Sequence, residues 1–174
     1  DNGKVRQVAS RPACAANAND QGAGGKESST SFQRLLIEFC CSHESKLCTP
    51  REASKECRRI RITESEDGTT QGCRNWPAHE VQAFRENNPQ REVLLYASLP
   101  CVGGTPWGNI NAMTDIGAER IEQQQKEFTQ LFKTLQKLID EIDGPHFSIA
   151  FELPKNCKYW KWPMVQSFLK KHSL

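Results

Sequence analysis

The chain has 174 residues, 37% hydrophobic and 25% charged. That fits one globular domain with a disordered part and is too short for several domains. A net charge of +2 and a pI of about 8.2 neither demand nor exclude nucleic acid. No stretch approaches the roughly 18 apolar residues of a membrane helix, so a membrane is excluded as a partner of that kind.

The opening "DNGK" has neither a methionine nor the apolar core of a signal peptide, and a fragment or processed product is expected. Residues 1–31 are rich in Ala, Asn, Gly, Ser and Gln and lack hydrophobic periodicity. They are read as a tail or linker, with a folded unit over 32–174. The eight cysteines are irregularly spaced and several fall in strand-like runs, which predicts reduced intracellular thiols in a nuclear or cytoplasmic protein.

Strand candidates come first. "FQRLLIEFCC" (32–41) is an apolar run of strand length, and "RRIRITES" (58–65) alternates with β-branched residues. "PAHEVQAFRENN" (77–88) then opens on a proline suited to a first helical turn. "REVLLYASL" (91–99) is the next strand. The stretch 114–144 is a long helix: Thr114 is its cap, and Ile121, Phe128, Leu131, Leu135, Leu138 and Ile142 make one apolar stripe. Gly144 and Pro145 end it. "HFSIAFEL" (146–153) is a fourth strand, and "PMVQSFLKKH" (163–172) a closing helix.

Strand and helix in alternation predict an α/β fold with a small, mostly parallel sheet over 34–40, 58–63, 92–98 and 147–152. The two most apolar runs, the third and fourth, are expected side by side at its centre. Ligands of such sheets bind at the carboxyl ends of the strands. Those ends carry Glu38 to Ser42, Thr63 to Glu66, Ser98 to Gly104 and Glu152 to Cys157.

These ends, in this order, resemble cytosine-5 DNA methyltransferases. "LLIEFCCSHESKL" resembles the opening strand and loop that hold S-adenosylmethionine, and "IRITESED" the strand whose acid binds the cofactor ribose. "LLYASLPCVGGTPW" resembles the Pro-Cys loop whose cysteine attacks carbon 6 of the base. "SIAFELP" resembles the strand whose glutamate holds the base edge. The series is similar to methyltransferase-like segments of retrotransposon-type polyproteins in dinoflagellates and related protists. The resemblance implies a Rossmann-like sheet, S-adenosylmethionine as cofactor and nucleic acid as partner. It assigns Cys101, Glu152 and Pro100 to catalysis, and Glu38, Cys41, Ser42 and Glu64 to the cofactor. Gly103 and Gly104 would let backbone approach a ligand closely.

Several positions depart from the family pattern. "CCSHES" has no glycine where the family's loop carries them. The site loop reads Leu-Pro-Cys without a following glutamine, and no asparagine and valine follow Glu152. A target-recognition domain does not fit within 174 residues. Either a further segment of a polyprotein supplies what is missing, or this is a relative that kept the fold and lost the reaction.

Other groups have plainer readings. Cys101 is either a nucleophile or a thiol beside a turn. Glu38, within an apolar strand, needs a partner or a ligand. Glu64 is either a ribose ligand or one of a solvated trio with Glu66 and Asp67. Cys40, Cys41, His43, Cys48 and Cys57 are zinc-ligand types, but their spacing is not that of a zinc module and no metal is expected. His79 is expected on a solvated helix face, and His146 is a weak candidate base for Cys101. "KNCKYWKW" (155–162) interleaves lysines with aromatics. Lys155, Lys158, Tyr159 and Trp160 would bind nucleic acid by stacking and charge, or the rings pack on the sheet while the lysines stay in water.

Overall fold

The computed structural model describes residues 33–41, 45, 47, 57–63, 72–106 and 113–174. The expected tail over 1–31 lies outside them.

Four strands, β1 (Arg34–Cys41), β2 (Cys57–Thr63), β3 (Glu92–Ser98) and β4 (Phe147–Glu152), form one sheet in the order β2-β1-β3-β4. Every pairing is parallel. The fold is a small Rossmann-like α/β fold, and the strand limits agree with the sequence pattern to within a residue. One expectation is corrected. β3 and β4 are neighbours, but β4 is an edge strand, and β1 shares the centre with β3. Apolarity misled because Phe147, Ile149 and Phe151 owe their burial to helices, not to a strand on each side.

Three helices complete the fold: α1 (Gly72–Asn87), α2 (Asp115–Ile142) and α3 (Pro163–His172). Pro77 does not open α1 but lies inside it. As the sixth helical residue it lies past the four N–H groups that lack a partner in any helix, so it forgoes one backbone hydrogen bond, to the carbonyl four residues earlier. Thr114 caps α2 as expected, its hydroxyl accepting from the Gly117 N–H at 3.2 Å. Asp143 and Gly144, the latter at φ +155°, end it.

The connections β2→β3 and β3→β4 step the same way across the sheet. Right-handed crossovers therefore place α1 and α2 on one face, and they pack on each other. That face carries Leu35, Ile37 and Phe39 of β1, Ile60 and Ile62 of β2, and Val93, Leu95 and Ala97 of β3, all buried. Phe128, Phe132, Leu135, Leu138 and Ile139 of α2 cover it. Phe168 of α3 closes the β4 side, edge-on to Phe132 and Phe151.

The opposite face is polar. Glu38, Tyr96 and Arg61 share one register line across β1, β3 and β2. Arg34 pairs with Glu92 at 3.2 Å near the amino ends of the strands. No helix among the described residues packs on this face, and none is long and apolar enough to cross a membrane.

Candidate functional site

The Pro-Cys loop leaves β3 at the carboxyl rim. Leu99 is buried, Pro100 exposed and Cys101 half-buried. Cys101 takes a bridge-region backbone (φ −112°, ψ 3°) and starts a 3-10 turn, Val102–Gly104. Its carbonyl accepts from the Gly104 N–H at 2.9 Å. Cys101, like Cys40, Cys41, Cys57 and Cys157, forms no disulfide.

The two glycines meet this chain's own side chains rather than a ligand. A Cβ on Gly103 would lie 2.7 Å from the Tyr159 hydroxyl, and one on Gly104 would lie 2.7 Å from the Cys157 sulfur and 2.9 Å from the Tyr159 ring. The Pro-Cys loop therefore rests on "KNCKYWKW", a contact between two motifs that sequence reading kept apart. Gln125 of α2 holds the same turn by donating to the Gly103 carbonyl at 3.3 Å.

Tyr159 corrects the stacking assignment. It is fully buried, its ring 4.0 Å from that of Phe128 and 4.4 Å from that of Trp162. No base reaches it. Its hydroxyl is buried without a hydrogen-bond partner. Burial first, then the neighbouring Cys157 and Cys101, pushes its pKa up to about 12. Trp160 is half-buried and committed as well: its ring meets Phe151 edge-on and its indole N–H donates to the Pro154 carbonyl at 2.9 Å. Lys155 and Lys158 remain exposed. The plainer reading holds for the rings.

Glu152 is the last residue of β4, opposite Ser98 of β3. Its exposed carboxylate accepts a hydrogen bond from Tyr96. Sequence reading missed Tyr96, whose only signal was its alternation with core residues along β3. Its phenol is pushed up to about 12, first by donating to Glu152, then by burial and by the charges of Glu152 and Glu38. Glu152 belongs to the polar face, whereas the Cys101 loop leans on Cys157 and Tyr159 of the helical side. They share a rim and adjoining strands. A groove among the described residues lies elsewhere, between α1 and α2, lined by exposed His79, Gln82 and Glu141 and half-buried Arg85 among others.

Glu38 is wholly buried and satisfied within the chain. Ser45 donates to it, and the Arg61 Nε lies 3.7 Å away. Cys41 is buried too, its thiol directed at the carbonyls of Glu38 and Ile62. Both side chains assigned to the cofactor thus make their contacts inside the chain in this arrangement. Ser42 and Glu64 lie outside the described residues. Cys40 has φ +59°, at a bulge where the β1–β2 register shifts. A non-glycine residue thus makes the left-handed turn that glycine favours.

Cys57 pairs with Arg34 at the amino ends of the strands, the length of the sheet away from Cys40 and Cys41. The potential zinc ligands are not brought together, and His43 and Cys48 lie outside the described residues. Among the described residues no three His, Cys, Asp or Glu side chains converge on a metal position. His146 sits at the amino end of β4, the far end of the strand from the rim that carries Cys101, so it is not placed as its base. No family model, curated protein or solved structure matches this chain.

Proposed function

We propose that this chain is a nucleobase-directed domain of cytosine-5 methyltransferase type, with Cys101 as nucleophile and Glu152 holding the edge of the base. The observation that supports this most is the pairing of Ser98 with Glu152, which brings the loop of one and the carboxylate of the other to a single rim. The reading makes it an intracellular protein, in keeping with the lack of disulfides among the described cysteines.

S-adenosylmethionine is the methyl donor this reading implies. Of the four residues assigned to it, Glu38 and Cys41 make contacts inside the chain, and Ser42 and Glu64 lie outside the described residues. No step is therefore assigned to the cofactor. The chain's own residues can begin the reaction. Cytosine is a poor electrophile, and a thiolate at Cys101 would form a bond to carbon 6. The electron pair of the 5,6 double bond then shifts into the 4,5 bond and that of the 3,4 bond onto ring nitrogen 3, which takes a proton from water while Glu152 holds that edge. Tyr96 holds one oxygen of Glu152 and leaves the other for the base. The base must leave its stack to reach this rim, whether from duplex or single strand.

The test is covalent trapping on DNA containing 5-fluorocytosine, with S-adenosylmethionine present. The wild type should form an adduct stable to denaturing electrophoresis. Cys101→Ala should form none, and Glu152→Gln should slow it on the order of a hundredfold.

A second reading is a catalytically inactive nucleic-acid-binding or interaction module of a mobile-element polyprotein. The internal satisfaction of Glu38 and Cys41 favours it. The wild type then traps nothing, calorimetry with S-adenosylmethionine shows no heat, and Cys101→Ala changes stability only slightly. Lys155 and Lys158, not Tyr159, would carry the contact with phosphate.

A further inference from the structure

The two edges of the sheet differ. β2 carries Arg58, Arg59 and Arg61, of which Arg58 pairs with Glu80 of α1 and Arg61 lies beside Glu38 of β1. Long charged side chains are a standard defence against pairing with another strand. β4, Phe-Ser-Ile-Ala-Phe-Glu, has no lysine, arginine or proline, and it runs in unbroken register with β3 over its whole length. Phe147, Ile149 and Phe151 are only half-buried, whereas their neighbours Val93, Leu95 and Ala97 are completely buried. The outward backbone groups of β4 have no hydrogen-bond partner among the described residues.

We propose that β4 is an interface for a second copy of this chain, paired antiparallel about a two-fold axis at Ile149, giving one continuous eight-stranded sheet. Residues directly opposite in an antiparallel pair share a face. With Ile149 on the axis, Phe147 lies across from the partner's Phe151 and Ser148 across from the partner's Ala150. Apolar meets apolar on the helical face and small meets small on the polar face. Parallel pairing of the same two edges would turn one protomer over, so Phe147, Ile149 and Phe151 of one strand would fall level with polar-face positions of the other. The strand is complementary to its own reverse, which is why a second copy fits it. The inference does not depend on the function proposed above.

Sedimentation velocity on the whole chain over a roughly hundredfold dilution series tests it. The wild-type mass should move from 19.7 kDa toward twice that value as concentration rises. The double variant S148K/A150K sets lysine against lysine across the axis and should remain at the monomer mass. S148K/A150E sets lysine against glutamate in the same register and should dimerise like the wild type. Circular dichroism confirms that each variant folds. Independently of any variant, amide exchange in β4 should slow as wild-type concentration rises. A wild type that stays monomeric throughout overturns the proposal. So does dimerisation of S148K/A150K equal to wild type, or failure of a folded S148K/A150E to recover the dimer.

Discussion

Tyr159→Phe and Gly103→Ala together probe the contact between the Pro-Cys loop and the aromatic cluster. The Tyr159 hydroxyl is buried without a hydrogen-bond partner. Desolvating such a group costs about 1–3 kcal/mol, so Tyr159→Phe should be neutral or stabilise the fold by about 1 kcal/mol. Gly103→Ala places a Cβ 2.7 Å from that same hydroxyl oxygen and 3.0 Å from the Gln124 Cβ. The Tyr159 ring is held by Phe128 and Trp162 and has little room to withdraw. Overpacking of this kind costs about 1–3 kcal/mol. In the Tyr159→Phe background the closest clash is gone, and the contacts with the Gln124 Cβ at 3.0 Å and the Ile121 carbonyl at 3.3 Å remain tight. The double variant should therefore be more stable than the sum of the single effects by about 1 kcal/mol, outside the few tenths expected of independent sites. Urea unfolding of the four proteins measures it, and 1 kcal/mol corresponds to about 2–4 °C in Tm for a chain of this size. Strict additivity, or a Tyr159→Phe variant destabilised by more than about 1 kcal/mol, would refute both the unpartnered hydroxyl and its contact with Gly103.

The chain has two tyrosines, Tyr96 and Tyr159, and both are pushed up to about 12. Tyrosinate absorbance of the folded protein should rise well above the ordinary value near 10. A phenol pKa raised by folding contributes stability that is full below pH 10 and is lost as pH climbs from about 10 to 12, so chemical unfolding across that range should show a decline. Gly144→Ala should destabilise by more than about 1 kcal/mol in a thermal melt. Its φ of +155° disfavours a side chain, and a Cβ there would press on the Arg85 guanidinium at 3.1 Å. Glu38→Ala should cost about 1–3 kcal/mol in urea, since it strips a buried acceptor from Ser45 and Arg61. The same variant should leave any trapping at Cys101 intact.

The strands and the long helix were legible because alternation and the 3–4–7 spacing of Phe128, Leu131, Leu135 and Leu138 report local geometry directly. The start of α1 was not, because proline favours a first turn, whereas Pro77 sits five residues into the helix at the cost of one backbone bond. At the rim, sequence order alone brought Cys101, just past the end of β3, and Glu152, the last residue of β4, to the same end of the sheet. Whether Glu38 faces a ligand depends on Ser45 and Arg61, one in a loop and one on another strand, and no single-sequence pattern brings those three together. Gly103 and Gly104 were misjudged for the same reason. Close approach by a backbone looks alike in sequence whether a ligand or Tyr159 arrives there.

α2 has 28 residues, which at 1.5 Å each makes a rod of about 42 Å, roughly twice the length of the strands it covers. Its buried residues begin at Phe128, and the stretch 115–127 is mostly exposed. One helix thus contains two thermodynamic regimes. Amides from Phe128 to Ile142 can exchange with solvent only when the core opens, so their protection should report the global unfolding free energy. Amides over 115–120 should exchange through local fraying at far lower cost. The boundary falls near Ile121 to Gln125, where the Gly103 turn braces the helix. A disturbance of the Pro-Cys loop should therefore move that boundary toward the core, and the helix becomes a gauge of how firmly the loop is seated.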